Sequence, residues 1–339
     1  MKRSIILILG ILLIFQGAVF AEVTKVGTTA ANFLIIEAGA RAIGMGGAYV
    51  AIAEGPISMY WNPAGIARSE KTAAVFNHSK WLVDIDYNFA GLSMPLGQYG
   101  TIGANAVFLT MDDMQITTIA EPDGVENGYF SAGSYAIGLS YAVNLTDRFS
   151  IGFNAKYLDE HIWNSKATGI AFDIGTLFTT QFNGLKIGMS ISNYGTKMQM
   201  EGKDMLIQHD IDEQHQGNNP NINGYLGTDK FDLPLMFRVG VAMDVLKGYG
   251  NSNLILAIDA LHPNNNAESV NLGCEYVFNR MFCLRAGYNT LFLPDDESGL
   301  SLGGGLMYEV SGIELGIDYA YRDFGMLKDI QMFSLQFMF

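Results

Sequence analysis

From Thr72 to Phe339 the chain alternates large apolar residues with small or polar ones in segments of about ten. A period of two marks extended strands whose two faces meet different surroundings. The pattern is clearest where Tyr135, Ile137, Leu139, Tyr141 and Val143 alternate with Ser134, Ala136, Gly138, Ser140 and Ala142. It recurs in Phe149, Ile151, Phe153 and Tyr157, in Leu235 to Met243, in Ile313 to Tyr321 and in Phe333, Leu335, Phe337 and Phe339. A soluble sandwich would carry dense Lys, Glu, Asp and Arg on its second face. Here that face is mostly Gly, Ala, Ser and Asn with isolated charges, which predicts a crowded, wet barrel lumen with the large residues turned to lipid. Charged residues make up 16% of the chain, against about 25% in soluble proteins. Only a closed barrel satisfies every strand's backbone in hydrocarbon without helices.

The connections support the same architecture. Those near 322–328, 290–298, 263–267, 194–233, 159–166 and 111–128 read as long, and those near 309–311, 279–281, 246–251, 181–183, 144–147 and 95–98 as mostly short. The two kinds interleave, as long external loops and short periplasmic turns do. The implied strands are 72–78, 85–94, 99–110, 129–143, 148–158, 167–180, 184–193, 234–245, 252–262, 268–278, 281–289, 299–309, 312–321 and 329–339. The predicted fold is all-β, a fourteen-stranded antiparallel transmembrane barrel, even-numbered as such barrels are. Its last strand closes on the aromatic Phe339.

Ahead of the barrel, Met1-Lys2-Arg3, the apolar run Ile5 to Phe15 and Val19-Phe20-Ala21 read as a signal peptide over 1–21, cut before Glu22. The apolar run is too short to span a bilayer, which takes about 20 residues. Export by this route predicts an outer-membrane location. Residues 22–71 do not alternate and read as an N-terminal plug or periplasmic segment, with 72–339 as the barrel. The glycines between Gly39 and Gly47 tempt a nucleotide-loop reading, but the third glycine of G-x-G-x-x-G would fall at Tyr49 and no strand precedes the run. Close packing of backbone against a wall suits them better. Asn62-Pro63 reads as a turn or helix start.

Parity also sorts the ionisable residues. Lys156, Asp173, Lys186, Arg238, Asp244, Asp259, Glu275, Arg285, Glu309, Glu314, Asp318 and Arg322 are expected to face the lumen, because charge in lipid costs roughly 2 to 4 kcal/mol for Arg or Lys at the midplane. The two cysteines fall on opposite faces, Cys274 outward and Cys283 inward, so they are expected to stay unpaired despite the oxidising route. The net charge of -14 argues against nucleic acid as a partner.

Gly39 to Ala48 (Gly-Ala-Arg-Ala-Ile-Gly-Met-Gly-Gly-Ala), together with Tyr60-Trp61-Asn62-Pro63-Ala64-Gly65, resembles the N-terminal signature of the PorV/PorQ family, relatives of the FadL-type transporters. The likeness continues through Thr168 to Gly175, Gly188 to Asn193, Asn218-Asn219-Pro220 and Leu233 to Gly240, nearly the whole chain after 21. The resemblance implies a fourteen-stranded outer-membrane barrel and a role in type IX secretion, in which such barrels receive exported cargo and present it to surface partners.

Two uses remain open on the residues alone. Partner binding, to secreted cargo or to surface components of the secretion system, would fall to the long 194–233 loop and its His209, Asp210, Asp212, Glu213, His215, Asn219 and Pro220. These match no standard metal spacing, so neither metal nor cofactor is expected. Passage of hydrophobic molecules would instead use an apolar pocket between plug and wall, with Phe33, Leu34, Ile35, Ile36, Ile43 and Met45 as its candidate lining. Arg41, Gly44, Gly46, Gly47, Trp61, Asn62 and Pro63 complete the candidate lumen residues. No nucleophile and base are paired in the sequence, so catalysis is not expected.

Overall fold

The computed structural model describes residues 25–126, 128–210, 221–247, 251–293, 297, 299–327 and 329–339. The expected signal peptide, and within the long loop Asp212, Glu213, His215, Asn219 and Pro220, lie outside the described residues.

Fourteen strands form one antiparallel meander: β1 (Ala73–Lys80), β2 (Asp86–Pro95), β3 (Thr101–Thr110), β4 (Ala132–Thr146), β5 (Phe149–Ile162), β6 (Ser165–Thr179), β7 (Lys186–Gly195), β8 (Met236–Asp244), β9 (Ser252–Pro263), β10 (Ser269–Phe278), β11 (Phe282–Leu291), β12 (Leu300–Val310), β13 (Ile313–Asp323) and β14 (Asp329–Met338). Each strand pairs with its neighbours in sequence. β1 also pairs with β14, from Ala73 opposite Met338 to Lys80 opposite Gln331, so the sheet closes with no free edge. The expected strand set is borne out, with ends shifted by a few residues. The expected loop at 159–166 is not. There β5 and β6 run on and turn through Trp163 and Asn164 alone, with Trp163 at φ 51. The polar residues Asp159, Glu160 and Lys166 mislead a reading by hydropathy, because strand pairing continues through them to Ile162 opposite Ser165.

Outward positions carry the apolar belt: Leu139 is 70% exposed and Leu284 66%. Inward positions are buried. Every charge assigned to the lumen has inward parity; Lys186 and Glu309 stand exposed near the short-turn ends of their strands. Cys274 faces out, Cys283 is buried inside, and both are free thiols.

The segment from Lys25 to Lys71 packs its buried residues, from Ala31 to Ala67, against the inward faces of the strands and supplies most of the apolar core. The segment starts at the long-loop end, where Ala30 N–H donates to the Asp232 carbonyl at 2.9 Å. It ends at the short-turn end, where Arg68 donates to the Asp147 carbonyl at 3.1 Å. Between them it forms two short helices, α1 (Ala40–Gly44) and α2 (Ser58–Trp61), and a 3-10 turn over Pro63–Arg68. Asn62 starts that turn as expected, its Oδ1 accepting from Ala64 N–H at 3.2 Å.

Candidate functional site

The inner segment sweeps round the lumen and meets strand after strand. Ala40 N–H donates to Ser334 on β14 at 2.8 Å. Gly44 lies so close to β12 that a Cβ on it would stand 3.1 Å from Gly303 Cα. Gly46, at φ +62, leaves a Cβ no room beside the backbone of Tyr288 on β11 and Leu272 on β10. The Tyr49 and Val50 amides donate to Asp259 on β9 at 2.8 Å each. Ala51 then abuts Gly188 on β7, and Pro63 abuts Gly152 on β5 and Gly175 on β6. Gly152, Gly175, Gly188, Gly273, Gly287 and Gly303 on the second face are therefore seats for this segment. Close backbone approach accounts for these glycines better than the lining of a wet lumen.

Most sequence-predicted lumen residues converge here. Phe33, Leu34, Ile43 and Trp61 are buried, and Ile36 packs partly buried against them. Trp61 Nε1 donates to the Ala38 carbonyl at 2.8 Å, and the Asn62 amide donates to the Val50 and Thr176 carbonyls at 3.0 Å each. Gly47, at φ +76, lies against the side chains of Glu37 and Asn271. Of the expected lining of an apolar pocket between segment and wall, Ile43 and Met45 are packed solid, whereas Ile35 borders one cavity and Leu34 another.

Two chambers lie above and below the packed middle, the upper one beside Ile35. The outer chamber, about 370 Å³, is bordered by Ile35, Glu37, Arg238, Leu261, Asn265, Asn289 and Leu293. The periplasmic chamber, about 670 Å³, is strongly charged, with Arg41, Glu54, Glu275, Arg285, Glu314 and Asp318 on its walls. Its ions are linked. Arg41 bridges Glu54 at 2.5 Å and Glu275 at 2.7 Å; Arg285 bridges Glu275 at 2.6 Å and Asp318 at 2.5 Å. Arg41 thereby ties segment to wall at this level, as Lys71 does through Glu314 at 2.5 Å. A further tie, Glu37 to Arg322 at 2.6 Å, lies nearer the outer chamber. Burial pushes the Tyr49 phenol up to about 12 against the pull of Arg41, and raises that of Tyr60 as well, so both enter as neutral packing groups.

Sequence reading missed Glu37, whose only signal was a lone charge after Ile35-Ile36. It also gave no hint that Arg238 would lie over the Trp61 ring, 5.3 Å from its centroid. At the outer surface, the loop after β7 carries a bridge between Met198 and Phe231 and the hairpin Leu206–His209 with Ile222–Tyr225. His209 is exposed on that hairpin and Asp210 follows it, remote from the lumen residues. No group of His, Cys, Asp and Glu suited to a metal occurs among the described residues.

A family model described as Type IX secretion system protein PorV matches residues 20–247. No curated protein matches the sequence. Among solved structures, a FadL homologue of Pseudomonas aeruginosa aligns at TM-score 0.52 and 12% identity, covering 89% of this chain and 98% of that one. The toluene transporter TbuX of Ralstonia pickettii aligns at 0.52 and 13%, over 89% and 97%. The toluene transporter TodX of Pseudomonas putida aligns at 0.53 and 11%, over 89% and 96%. These likenesses show a FadL-like outer-membrane barrel fold.

Proposed function

Because the chain belongs to the PorV family, we propose that this outer-membrane barrel binds secreted proteins at the cell surface and presents them in a type IX-like secretion route. In this reading residues 1–21 direct export, 22–71 form a plug and 72–339 form the scaffold. The observation that carries it is the packing of the inner segment. A segment seated on strands from β5 round to β14 and tied through Arg41 and Glu37 suits a rigid stopper. A stoppered scaffold leaves the outer loops as the working surface. The loop after β7 is the largest of them, and the 111–128 loop carries Asp112, Asp113, Glu121, Asp123 and Glu126 with no Lys or Arg. Such a surface favours basic partners through a salt-screened attraction. The role is one of binding, with no catalytic step assigned.

Deleting Lys203 to Asn223 tests it. The barrel should assemble and remain heat-modifiable while surface proteins stop co-purifying. Unchanged recovery of those proteins with an intact barrel would sink the reading. It would then favour the second reading, passage of hydrophobic molecules, which the two chambers above and below the stopper support.

A further inference from the structure

Lys156 on β5, Asp173 on β6 and Asn193 on β7 meet inside the barrel. Lys156 Nζ lies 2.5 Å from Asn193 Oδ1 and 2.8 Å from Asp173 Oδ1. Asp173 and Asn193 are buried, and the Lys156 side chain is only 10% exposed. Strict alternation would not bring Asn193 here, because Ser192 already faces inward and its neighbour should face lipid. A bulge in the β6–β7 ladder, between Phe172 opposite Tyr194 and Ile174 opposite Ile191, instead sets Ser192 and Asn193 together against Asp173. Asn193 takes φ 65, the left-handed conformation that asparagine tolerates, and both bulge residues are buried.

The polar contacts around this trio fix its orientation. Asn193 Nδ2 donates to the Pro234 carbonyl at 3.0 Å; a carbonyl only accepts, so the amide nitrogen points there and the amide oxygen points to Lys156. Asp173 Oδ1 accepts from the Asn193 backbone N–H at 2.7 Å, and its Oδ2 accepts from the Asn154 amide at 2.9 Å. A cavity of about 20 Å³ borders all three residues, with Phe89 and Val107 among its walls. It has room for one molecule the size of water or ammonia.

We infer that Lys156 and Asn193 become joined by an isopeptide bond, which the chain forms on itself once the barrel has folded. A proton passes from Lys156 Nζ to Asp173 along their 2.8 Å contact, leaving an amine with a free electron pair. That pair attacks Asn193 Cγ, the atom bonded to the oxygen Nζ already touches. Asp173 then passes its proton to Nδ2 and takes the second proton from the attacking nitrogen. The Cγ–Nδ2 bond breaks, ammonia leaves into the adjoining cavity, and Lys156 ends as a secondary amide with nothing oxidised or reduced. An amine held on its target reacts as if at a concentration of about 10⁵ M or more, which is what separates this pair from lysine and asparagine free in water. The bond fastens β5 to β7 across β6, at the foot of the long outer loop. It goes beyond surface presentation and stands or falls separately from it, since it is read on the isolated chain without any partner protein.

The test is mass spectrometry of the chain purified from outer membranes and then unfolded. Its intact mass should fall short of the processed sequence by one ammonia, and digestion should release a branched peptide joining Lys156 to Asn193. Lys156→Arg keeps the cation, and Asn193→Gly keeps the left-handed backbone. Each should restore the full mass in a barrel that remains heat-modifiable, and Asp173→Asn, which removes the proton carrier, should do the same. A native chain of full mass overturns the inference. So does an ammonia loss that survives Lys156→Arg, or one in a chain whose Lys156 still reacts with an amine reagent after unfolding. If the variants fail to assemble, the presence or absence of the branched peptide in the native chain decides the matter.

Discussion

Along the wall, residues two places apart meet the same surroundings: Ile137, Leu139 and Tyr141 all face outward from β4 and all are at least 45% exposed. Along the inner segment the neighbouring strand changes every few residues. Gly44 faces β12, Gly46 touches β11 and β10, and Tyr49 reaches β9 within six positions of Gly44. The wall repeats one environment, so many side chains serve at each position. Inside, each residue answers to one particular neighbour, so a single atom decides.

That contrast can be broken most sharply at Gly46. A Cβ there would meet Tyr288 N at 2.5 Å and Leu272 O at 2.8 Å, both backbone, on a residue at φ +62. Gly46→Val should cost more than about 3 kcal/mol by strain and overpacking together. Proteolysis in detergent would reveal it as cleavage within 25–71 while the barrel stays resistant. A segment as protected as in the native chain would mean that the contact is slack.

Next in size is Glu275→Ala, which strands Arg41 and Arg285 without their shared partner. Removing one member of a buried ion network costs about 3 to 5 kcal/mol, and denaturant unfolding in detergent should show a loss of that order. A loss well under 1 kcal/mol would imply that water already reaches the network from the periplasmic chamber.

On the wall, Leu139→Arg places charge in the apolar belt and should cost roughly 2 to 4 kcal/mol if Leu139 sits near the midplane. Leu139→Ala should barely register, because its surroundings are lipid rather than fitted protein. Refolding titrations into vesicles distinguish the two. Similar losses for both would place Leu139 against protein.

The smallest effect is expected at the thiols. Cys274 and Cys283 differ in face, so Cys274→Ser and Cys283→Ser should each leave stability within about 1 kcal/mol and remove one of two free thiols counted after unfolding. Recovery of a disulfide between them by mass spectrometry would overturn the strand parity of β10 and β11.

The wall was legible because its signal is periodic and repeated fourteen times, so a misplaced end at one strand leaves the register of the others intact. The exception is 159–166, where Asp159, Glu160, His161 and Lys166 interrupt the apolar pattern while β5 and β6 stay paired. Of the site, Trp61, Asn62, Gly44 and Gly46 were legible as a non-alternating motif rich in glycine. Their partners were not, since Gly303, Leu272 and Thr176 lie more than a hundred residues away and no local pattern names them.

What the sequence determined by itself was the closed barrel, its strand number and the facing of each charge, because lipid outside imposes one rule on every strand. Only the tertiary structure decided that inward glycines such as Gly188, Gly287 and Gly303 are seats for the inner segment, and that Arg41 and Glu275 tie that segment to the wall. Those outcomes depend on which atoms of distant strands arrive at the same point. Packing and ion pairing act over a few ångströms, whereas a period of two carries no record of which strand lies across the lumen.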